Sequence, residues 1–324
     1  MIDRKLNYEK VFANLIASLS EYVTKNKRGC MVLGISGGID STITSIICHE
    51  VSKITKVPLV GVSLMCNTNE SDEVTTADLV GEEFCDEYYK ENIEDLYKSV
   101  SSSLLGMSAT SGRTDAISEG NIKARLRMIS LWHISGLRNG VVMDTDNLTE
   151  HHLGFWTLFG DSNYITPIGD LWKSEVFGLG KYLLENRYHK SKSLAMSLEL
   201  TPTDGNGVKV GGDLAQIGAK SYYDVDDILY AWVSTIPSVK DEIAKSGFDD
   251  EVLNKTIFGV ESKRKRKNRE KICKEHGVEF QDTLGAKYGI NVVKDVIKRS
   301  WFSQFKRHHL PLVIKVNGEI RDSE

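Results

Sequence analysis

The chain has 324 residues, of which 40% are hydrophobic and 27% are charged, as is usual for a globular protein with a large core. Its formal net charge of -4 disfavours a general nucleic-acid binder, and no apolar run reaches the ~20 residues that a membrane span needs. The amino-terminal segment MIDRKLNYEK does not resemble a signal peptide, and the five cysteines form no CxxC pair. We therefore expect a cytoplasmic protein with reduced thiols and no membrane segment.

Helical and strand patterns alternate along the first half of the chain. In chain order, the apolar spacing predicts a helix over 6–25, a strand over 31–35, a helix over 41–54, a strand over 57–65, an acidic helix over 75–89, a short strand within 88–93, a helix over 121–135 and a strand over 140–146. Strands that alternate with helices predict an α/β fold, with a doubly wound, mostly parallel sheet flanked by helices. In such a sheet, ligands bind beyond the carboxyl ends of the strands.

Two segments and the end of the chain differ in composition from the rest. Residues 106–120 and the glycine-rich residues 201–213 are predicted to be loops of the kind that cover active sites. Beyond about residue 220 the sequence becomes helical and richer in Lys and Arg. We expect one domain over 1–324, with a core of about 28–220 and a helical carboxyl-terminal part of about 221–324.

The segment GISGGIDS, at residues 34–41, joins a predicted buried strand to a predicted helix. Small residues there let backbone N–H groups point at one place, where the positive end of the helix dipole also lies. The hydroxyl groups of Ser36 and Ser41 add donors, so the segment predicts a phosphate cradle without the lysine of a Walker A loop. Asp40 inside an anion cradle predicts Mg²⁺ between carboxylate and phosphates. The alternative is a plain turn in which Asp40 or Ser41 is the helix N-cap.

This loop resembles the SGGxDS loop of the N-type ATP pyrophosphatases, which split ATP between the α and β phosphates. Further segments resemble those of the ammonia-dependent NAD synthetases, namely EGNIKARLRM (119–128), DTDNLTEHHLGFWTLFGD (144–161), TPIGDLWKSEV (166–176), TPT (201–203) and FKRHHLPLVIK (305–315). They follow the order of that family over about residues 10–315. The resemblance implies an adenine nucleotide alpha hydrolase-like fold and the amidation of deamido-NAD with ammonia, driven by ATP and Mg²⁺.

The resemblance also implies roles for the residues that match the motifs of the family. Those implied to bind ATP are Gly34, Ile35, Ser36, Gly37, Gly38, Ile39, Asp40, Ser41, Thr145, Lys173 and Thr203. Mg²⁺ would be held by Asp40 and Glu150, and catalysis would rest on Asp40, Lys173 and Thr203 near the departing pyrophosphate. The implied contacts to deamido-NAD are Arg125, Asp161, Lys306 and Arg307.

Other charged residues are predicted to be structural or solvated. Arg127 is predicted to be an ordinary surface arginine, and the basic run at 263–269 a solvated helix face. His151 and His152 are adjacent on a predicted helix, so they do not face one metal ion and are predicted to be structural or solvated.

The motifs depart from the family at three points, two of which are positions that contact the acid substrate in the family. Leu158 replaces a lysine, no acid lies between Asp161 and Asp170, and Asp144 replaces a glycine. Because the ATP and Mg²⁺ positions are retained, adenylation is better supported than the identity of the acceptor. Two alternatives stay open, which are an ATP pyrophosphatase that amidates or thiolates another acceptor and a non-catalytic nucleotide-binding relative.

The resemblance further implies partners. Members of the family are homodimers that bind the acid substrate near the subunit interface, so we expect a homodimer here. The stretch before the phosphate loop is too short for a fused glutaminase domain, so free ammonia or a separate subunit is expected to supply nitrogen.

Overall fold

A computed structural model gives the structure of the protein and describes residues 4, 6–105, 116–161, 164–201, 212–256, 287–303, 312–314 and 320–321. The chain divides into two compact units. The larger unit comprises Lys5–Asp213 and Lys306–Glu324, and the smaller comprises Met1–Arg4 and Leu214–Phe305. Among the described residues, every helix is too short or too polar to cross a lipid bilayer.

The larger unit is built around a parallel sheet. Its four strands are β1 (Met31–Gly34), β2 (Leu59–Met65), β3 (Glu87–Asn92) and β4 (Val141–Val142), in the order β3-β2-β1-β4. Each neighbouring pair is parallel. A second sheet joins β5 (Ile165–Thr166) and β6 (Leu312–Ile314) in parallel, and β7 (Ile320–Arg321) pairs with β6 in antiparallel fashion.

The described helices surround these strands or form the smaller unit. They are α1 (Tyr8–Lys25), α2 (Ile39–Thr55), α3 (Ser71–Phe84), α4 (Glu94–Leu105), α5 (Ala116–Leu137), α6 (Leu148–Leu153), α7 (Lys173–Asn186), α8 (Lys192–Glu199), α9 (Gly212–Gln216), α10 (Tyr222–Val233), α11 (Pro237–Lys245), α12 (Asp250–Thr256) and α13 (Ile290–Phe302). In the smaller unit, α10 packs against α13, where the rings of Trp232 and Trp301 lie 6.1 Å apart. The expected helical carboxyl-terminal part is thus present in the described residues.

The core of the larger unit explains its sequence pattern. All seven residues of β2 are buried, because helices cover both faces of a parallel sheet and leave no face for polar alternation. On α1, the apolar side chains recur at helical spacing and bury Phe12, Leu15 and Leu19 in a core shared with α2 and α7. The strand β1 therefore leads straight from the core into the loop at residues 35–38.

The predicted elements and the observed ones differ at several boundaries. The predicted helix over 75–89 is wrong at its end, since α3 ends at Phe84 and residues 87–92 form β3. Helix α4 was not predicted, and α5 begins at residue 116, inside a segment predicted to be a loop. Residues 106–115 and 202–211 of the two predicted loops lie outside the described residues.

Candidate active site

The loop after β1 contains two neighbouring glycines, and the structure requires glycine at only one of these positions. Gly37 has a φ of +86°, and a Cβ there would lie 2.4 Å from the carbonyl oxygen of Glu73, so the backbone requires glycine. Gly38 has ordinary extended angles, with φ of -67° and ψ of 159°. A Cβ at Gly38 would meet only Ser36 Oγ, at 3.4 Å. Neither backbone strain nor packing therefore explains Gly38, whereas a close approach by a ligand would.

The two serines of the loop form hydrogen bonds within it. The hydroxyl oxygens of Ser36 and Ser41 lie 3.0 Å apart, and Ser41 Oγ donates to the carbonyl oxygen of Gly38 at 3.0 Å. Helix α2 begins at Ile39 with Gly38 as its N-cap, and no side chain caps it. The alternative in which Asp40 or Ser41 is the N-cap is therefore wrong. Asp40 instead lies in the first turn of α2, directly after the loop.

Three of the predicted site residues converge on one point. Lys173, the first residue of α7, is only 2% exposed, and its Nζ forms ion pairs with Asp40 Oδ2 and with Glu150 Oε1, the latter at 2.8 Å. The carboxylates come from the first turns of α2 and α6, so three separate helices supply the cluster. The lysine and the two carboxylates thus meet at the end of the phosphate loop.

Asn147 joins this cluster and was missed by the sequence analysis. Its Nδ2 donates to Asp40 Oδ1 at 2.9 Å, and its Oδ1 accepts from the backbone N–H of Glu150 at 3.0 Å. Its own backbone N–H donates to Glu150 Oε2 at 3.3 Å. The pattern Asn-x-x-Glu at residues 147–150 is a capping-box signature that could have located the helix start, though not the bond to Asp40.

The surroundings of the cluster are acidic. Although part of the residue Asp146 is exposed, its carboxyl group is buried, and burial together with the carboxylates of Asp144, Asp161, Glu150 and Asp40 raises its pKa well above the usual range. Asp144 is buried, and its Oδ1 accepts from the backbone N–H of Asp146 at 2.6 Å. The residue that replaces the glycine of the family therefore adds negative charge to the site.

The donor set fits a hard cation that is shared with phosphates. No group of three or more His, Cys, Asp or Glu in the described part of the chain is arranged to hold a metal ion. Mg²⁺, however, is commonly bound through one or two carboxylates, with substrate phosphates and water as its other ligands. Asp40 and Glu150 already converge on one cation, the ammonium group of Lys173, so they provide such a pair.

Two of the residues predicted to contact the acid substrate, Arg125 and Asp161, lie around one turn. Arg125 is exposed, and its Nη2 donates to the carbonyl oxygen of Leu158 at 3.2 Å. Asp161 Oδ1 accepts from the backbone N–H of Thr157 at 2.5 Å. Thr145 follows β4 and is half-buried. Three further predicted site residues, Thr203, Lys306 and Arg307, lie outside the described residues, as does the basic run at 263–269.

The prediction that Arg127 is an ordinary surface arginine is wrong. Its Nε donates to the carbonyl oxygen of Leu64 at 2.9 Å, at the carboxyl end of β2. Burial lowers the pKa of its guanidinium group. His152 stacks on Trp172, with ring centroids 5.6 Å apart, which agrees with a structural role.

Comparison with known proteins identifies the family. The model of the NAD synthase family matches residues 11–270, which is more than half of the chain. The chain is a member of the NAD synthase family. Among curated relatives of this NAD synthase family member, the NH(3)-dependent NAD(+) synthetase of Campylobacter jejuni is 29% identical over 248 residues, covering 75% of this chain and 96% of that one. That of Methanocaldococcus jannaschii is 31% identical over 176 residues, covering 54% and 66%.

Solved structures agree with this membership. An NMN synthetase from Francisella tularensis is 28% identical, with a TM-score of 0.58, and the match covers 69% of this chain and 87% of that one. The NH3-dependent NAD synthetase from Campylobacter jejuni is 24% identical, with a TM-score of 0.53 over 85% and 99% of the two chains, which shows the fold. The resemblance and the fold class predicted from the sequence are both confirmed for this NAD synthase family member.

Proposed function

We propose that this NAD synthase family member amidates deamido-NAD with ammonia and converts ATP to AMP and pyrophosphate. The observation that carries the proposal is the convergence of Lys173, Asp40 and Glu150 at the end of a glycine-rich loop. In that loop, the backbone conformation does not require a glycine at residue 38. The nicotinate carboxylate attacks the α-phosphorus, the bond to the β-phosphate breaks, and pyrophosphate leaves. Ammonia then attacks the acyl carbon, AMP departs with its electron pair, and the amide loses a proton.

The residues of the chain act mainly by orientation and charge. The N–H groups at the start of α2 bind phosphate oxygens, and the ammonium group of Lys173 neutralises charge that develops on the departing pyrophosphate. Asp40 and Glu150 would hold Mg²⁺, which neutralises phosphate charge and so favours departure of pyrophosphate. The same two carboxylates pair with Lys173 and hold its ammonium group in place.

The remaining assignments complete the proposal. Thr145 and Thr203 bind ATP beside the residues of the loop, and Arg125, Asp161, Lys306 and Arg307 bind the acid. The observation in favour of Arg125 and Asp161 is that they lie together: Arg125 donates to the turn at 157–161, and Asp161 is the last residue of that turn and accepts from its first. The protein acts as a cytoplasmic homodimer that takes ammonia from solution or from a separate subunit.

A second acceptor is supported by the turn that carries Leu158. A lysine of the family is absent there, and the neighbouring Phe159 is 73% exposed with a φ of +58°. An apolar, exposed turn suits a smaller acid with fewer phosphates. The similarity to an NMN synthetase points to nicotinic acid mononucleotide as the second candidate.

A product assay separates these functions. The full chain is incubated with ATP, Mg²⁺, ammonium and either deamido-NAD or nicotinic acid mononucleotide, and nucleotides and amides are quantified. We expect NAD⁺ and AMP in equal amounts from deamido-NAD. Amide formation from the mononucleotide alone would select the second candidate. Formation of ADP and phosphate would contradict both, because the loop type cleaves between the α and β phosphates.

The Lys173→Met variant is the control for the assay, because it keeps an unbranched side chain only one atom shorter and removes its charge. Loss of both AMP and amide in this variant would assign the activity to this site. Equal product formation by variant and wild type would place the activity elsewhere.

A further inference from the structure

Ser63 connects the centre of the sheet to the phosphate loop. It lies within β2 and is fully buried, and its Oγ donates to the carbonyl oxygen of Ile35 at 2.9 Å. The backbone N–H of Ile35 donates to the carbonyl oxygen of Val62, also at 2.9 Å. Ile35 is thus fixed on both sides to β2 at the point where the chain leaves β1 and enters the loop.

The bond from Ser63 fixes the direction of a loop N–H group. In a planar trans peptide, the carbonyl of one residue and the N–H of the next point in opposite directions. Because the Ile35 carbonyl points at Ser63, the Ser36 N–H points away from β2, towards Ser41 Oγ at 3.4 Å. Ser63 therefore determines where the first N–H of the phosphate loop faces.

Tyr88 in turn orients the hydroxyl group of Ser63. Its phenol oxygen lies 2.8 Å from Ser63 Oγ and 2.9 Å from Asp78 Oδ1. The single proton of Ser63 goes to the Ile35 carbonyl, which can only accept, so Ser63 Oγ is free to accept from the phenol. Asp78 pairs with Lys90 through its other oxygen, Oδ2. The single phenol proton is therefore shared between Ser63 Oγ and Asp78 Oδ1, both of which accept from it.

We propose that Ser63 is a positioning residue for the phosphate loop. Through the Ile35 carbonyl it keeps the Ser36 N–H on Ser41 Oγ and so maintains the loop conformation that receives the phosphates of ATP, and Tyr88 helps to hold the Ser63 hydroxyl group in place. The inference rests on the proposed function in that the loop binds ATP. It adds two residues from β2 and β3, which touch no substrate and act through the backbone of Ile35. Their effect is on ATP and not on the acid or ammonia.

The test compares two variants that each lose one buried hydroxyl bonded to a backbone carbonyl. Ser63→Ala loses the bond to Ile35, and Ser197→Ala, the control, loses a 3.0 Å bond to the carbonyl of Leu194 within α8. For both full-length variants, thermal stability, binding of a non-hydrolysable ATP analogue with Mg²⁺ by calorimetry, and KM for each substrate are measured. We expect Ser63→Ala to weaken analogue binding and to raise KM for ATP about tenfold, with KM for the acid and for ammonia unchanged.

A residue that only supports the fold would give another result. It would lower the folded fraction and hence the turnover for all substrates alike, with analogue affinity per folded molecule equal to that of Ser197→Ala. That outcome would overturn the proposal. If the wild type forms no amide while analogue binding differs as expected between the variants, the proposed reaction fails and the inference stands.

Tyr88→Phe provides a milder variant should Ser63→Ala fold poorly. The tyrosine ring packs on Gly81, where an added Cβ would lie 2.3 Å from it, and phenylalanine keeps this packing. We expect a smaller weakening of analogue binding, about threefold, without a change in KM for the acid. Wild-type analogue affinity in this variant would remove Tyr88 from the proposal.

Discussion

The side-chain amide of Asn147 donates to the carboxylate of Asp40 at 2.9 Å, although the two residues are 107 positions apart in the chain. The other atom of the amide, Oδ1, caps α6 by accepting from the N–H of Glu150. One buried side chain therefore holds the first turn of α2 against the first turn of α6, where both proposed Mg²⁺ ligands lie.

The two functions of Asn147 are separable by substitution. Asn147→Ser keeps an N-cap side chain but is too short to reach Asp40, whereas Asn147→Ala loses both bonds. We expect Asn147→Ala to lose about 1 kcal/mol of stability and Asn147→Ser to lose little, since serine caps as well as asparagine. Both should lower turnover about tenfold, roughly 1.4 kcal/mol of transition-state stabilisation. Urea unfolding and steady-state kinetics provide the measurements.

Asn7 is the matched control, because it caps α1 in the same way: its Oδ1 accepts from the backbone N–H of Lys10 at 3.0 Å. Asn7→Ala should lose comparable stability and keep full turnover. Normal turnover of Asn147→Ser would show that the bond to Asp40 has no part in the reaction.

Replacing Lys173 should leave a site that binds a divalent cation more strongly. Lys173→Met removes the cation between two carboxylates, and breaking a buried pair in this way costs about 3 kcal/mol. Because Mg²⁺ can replace the lost charge, we expect millimolar Mg²⁺ to raise the melting temperature of the variant more than that of wild type. The control is Lys53→Met, since the pair of Lys53 and Glu50, also 2.8 Å long, is exposed. Equal effects of Mg²⁺ on variant and wild type would argue against the proposed ligands.

The two loop glycines should respond differently to alanine. Gly37→Ala forces a positive φ and a clash with the Glu73 carbonyl, so we expect a loss of stability above about 1 kcal/mol. Gly38→Ala meets no such obstacle and should cost less, but its methyl group would stand among the N–H groups at the start of α2. We expect it to weaken ATP binding at least tenfold, measured by calorimetry. Unchanged affinity in Gly38→Ala would indicate that phosphates do not approach this residue.

The raised pKa of Asp146 predicts a dependence of stability on pH. In the unfolded chain this pKa returns to about 3.9, so between the two values the folded state binds more protons than the unfolded state. Stability therefore falls as pH rises through this interval. We expect Asp146→Asn to be more stable than wild type at pH 7, by at least about 1 kcal/mol, and the gain to vanish below about pH 4.

Urea unfolding from about pH 4 to 8 tests this expectation. The control is Asp241→Asn, at an exposed aspartate of α11, which should run parallel to wild type. A parallel profile for Asp146→Asn as well would contradict the account of the acidic site.

The sequence predicts best what depends on neighbours in the chain. The strands β1 and β2 were predicted because continuous apolar runs are buried on both faces of a parallel sheet. Helix α4 was missed because few of its residues are apolar, although Leu96, Val100 and Leu104 recur at helical spacing. Arg127 was misplaced because α5 buries Lys123 and exposes Ile129, which leaves no contrast between its faces.

In the candidate site too, features set by neighbours in the chain were predicted better than contacts between distant residues. The loop at 34–41 could be interpreted as a phosphate cradle from local chemistry, because glycines, serines and a helix start are adjacent in sequence. The convergence of Lys173 with Asp40 was available only through resemblance to a family, since it joins residues that are 133 positions apart. The bond between Asn147 and Asp40 matched no motif and required the folded chain.

Strand β3 is an edge strand of the four-stranded sheet, so its outer side decides whether a strand of another chain can pair there. Among the described strands it pairs only with β2, so its outer backbone groups could template a further strand. Four of its six residues are exposed, and Glu87, Lys90 and Glu91 are charged. A second strand added there would have to desolvate these charges. The edge therefore resists the strand-to-strand association that leads to aggregation.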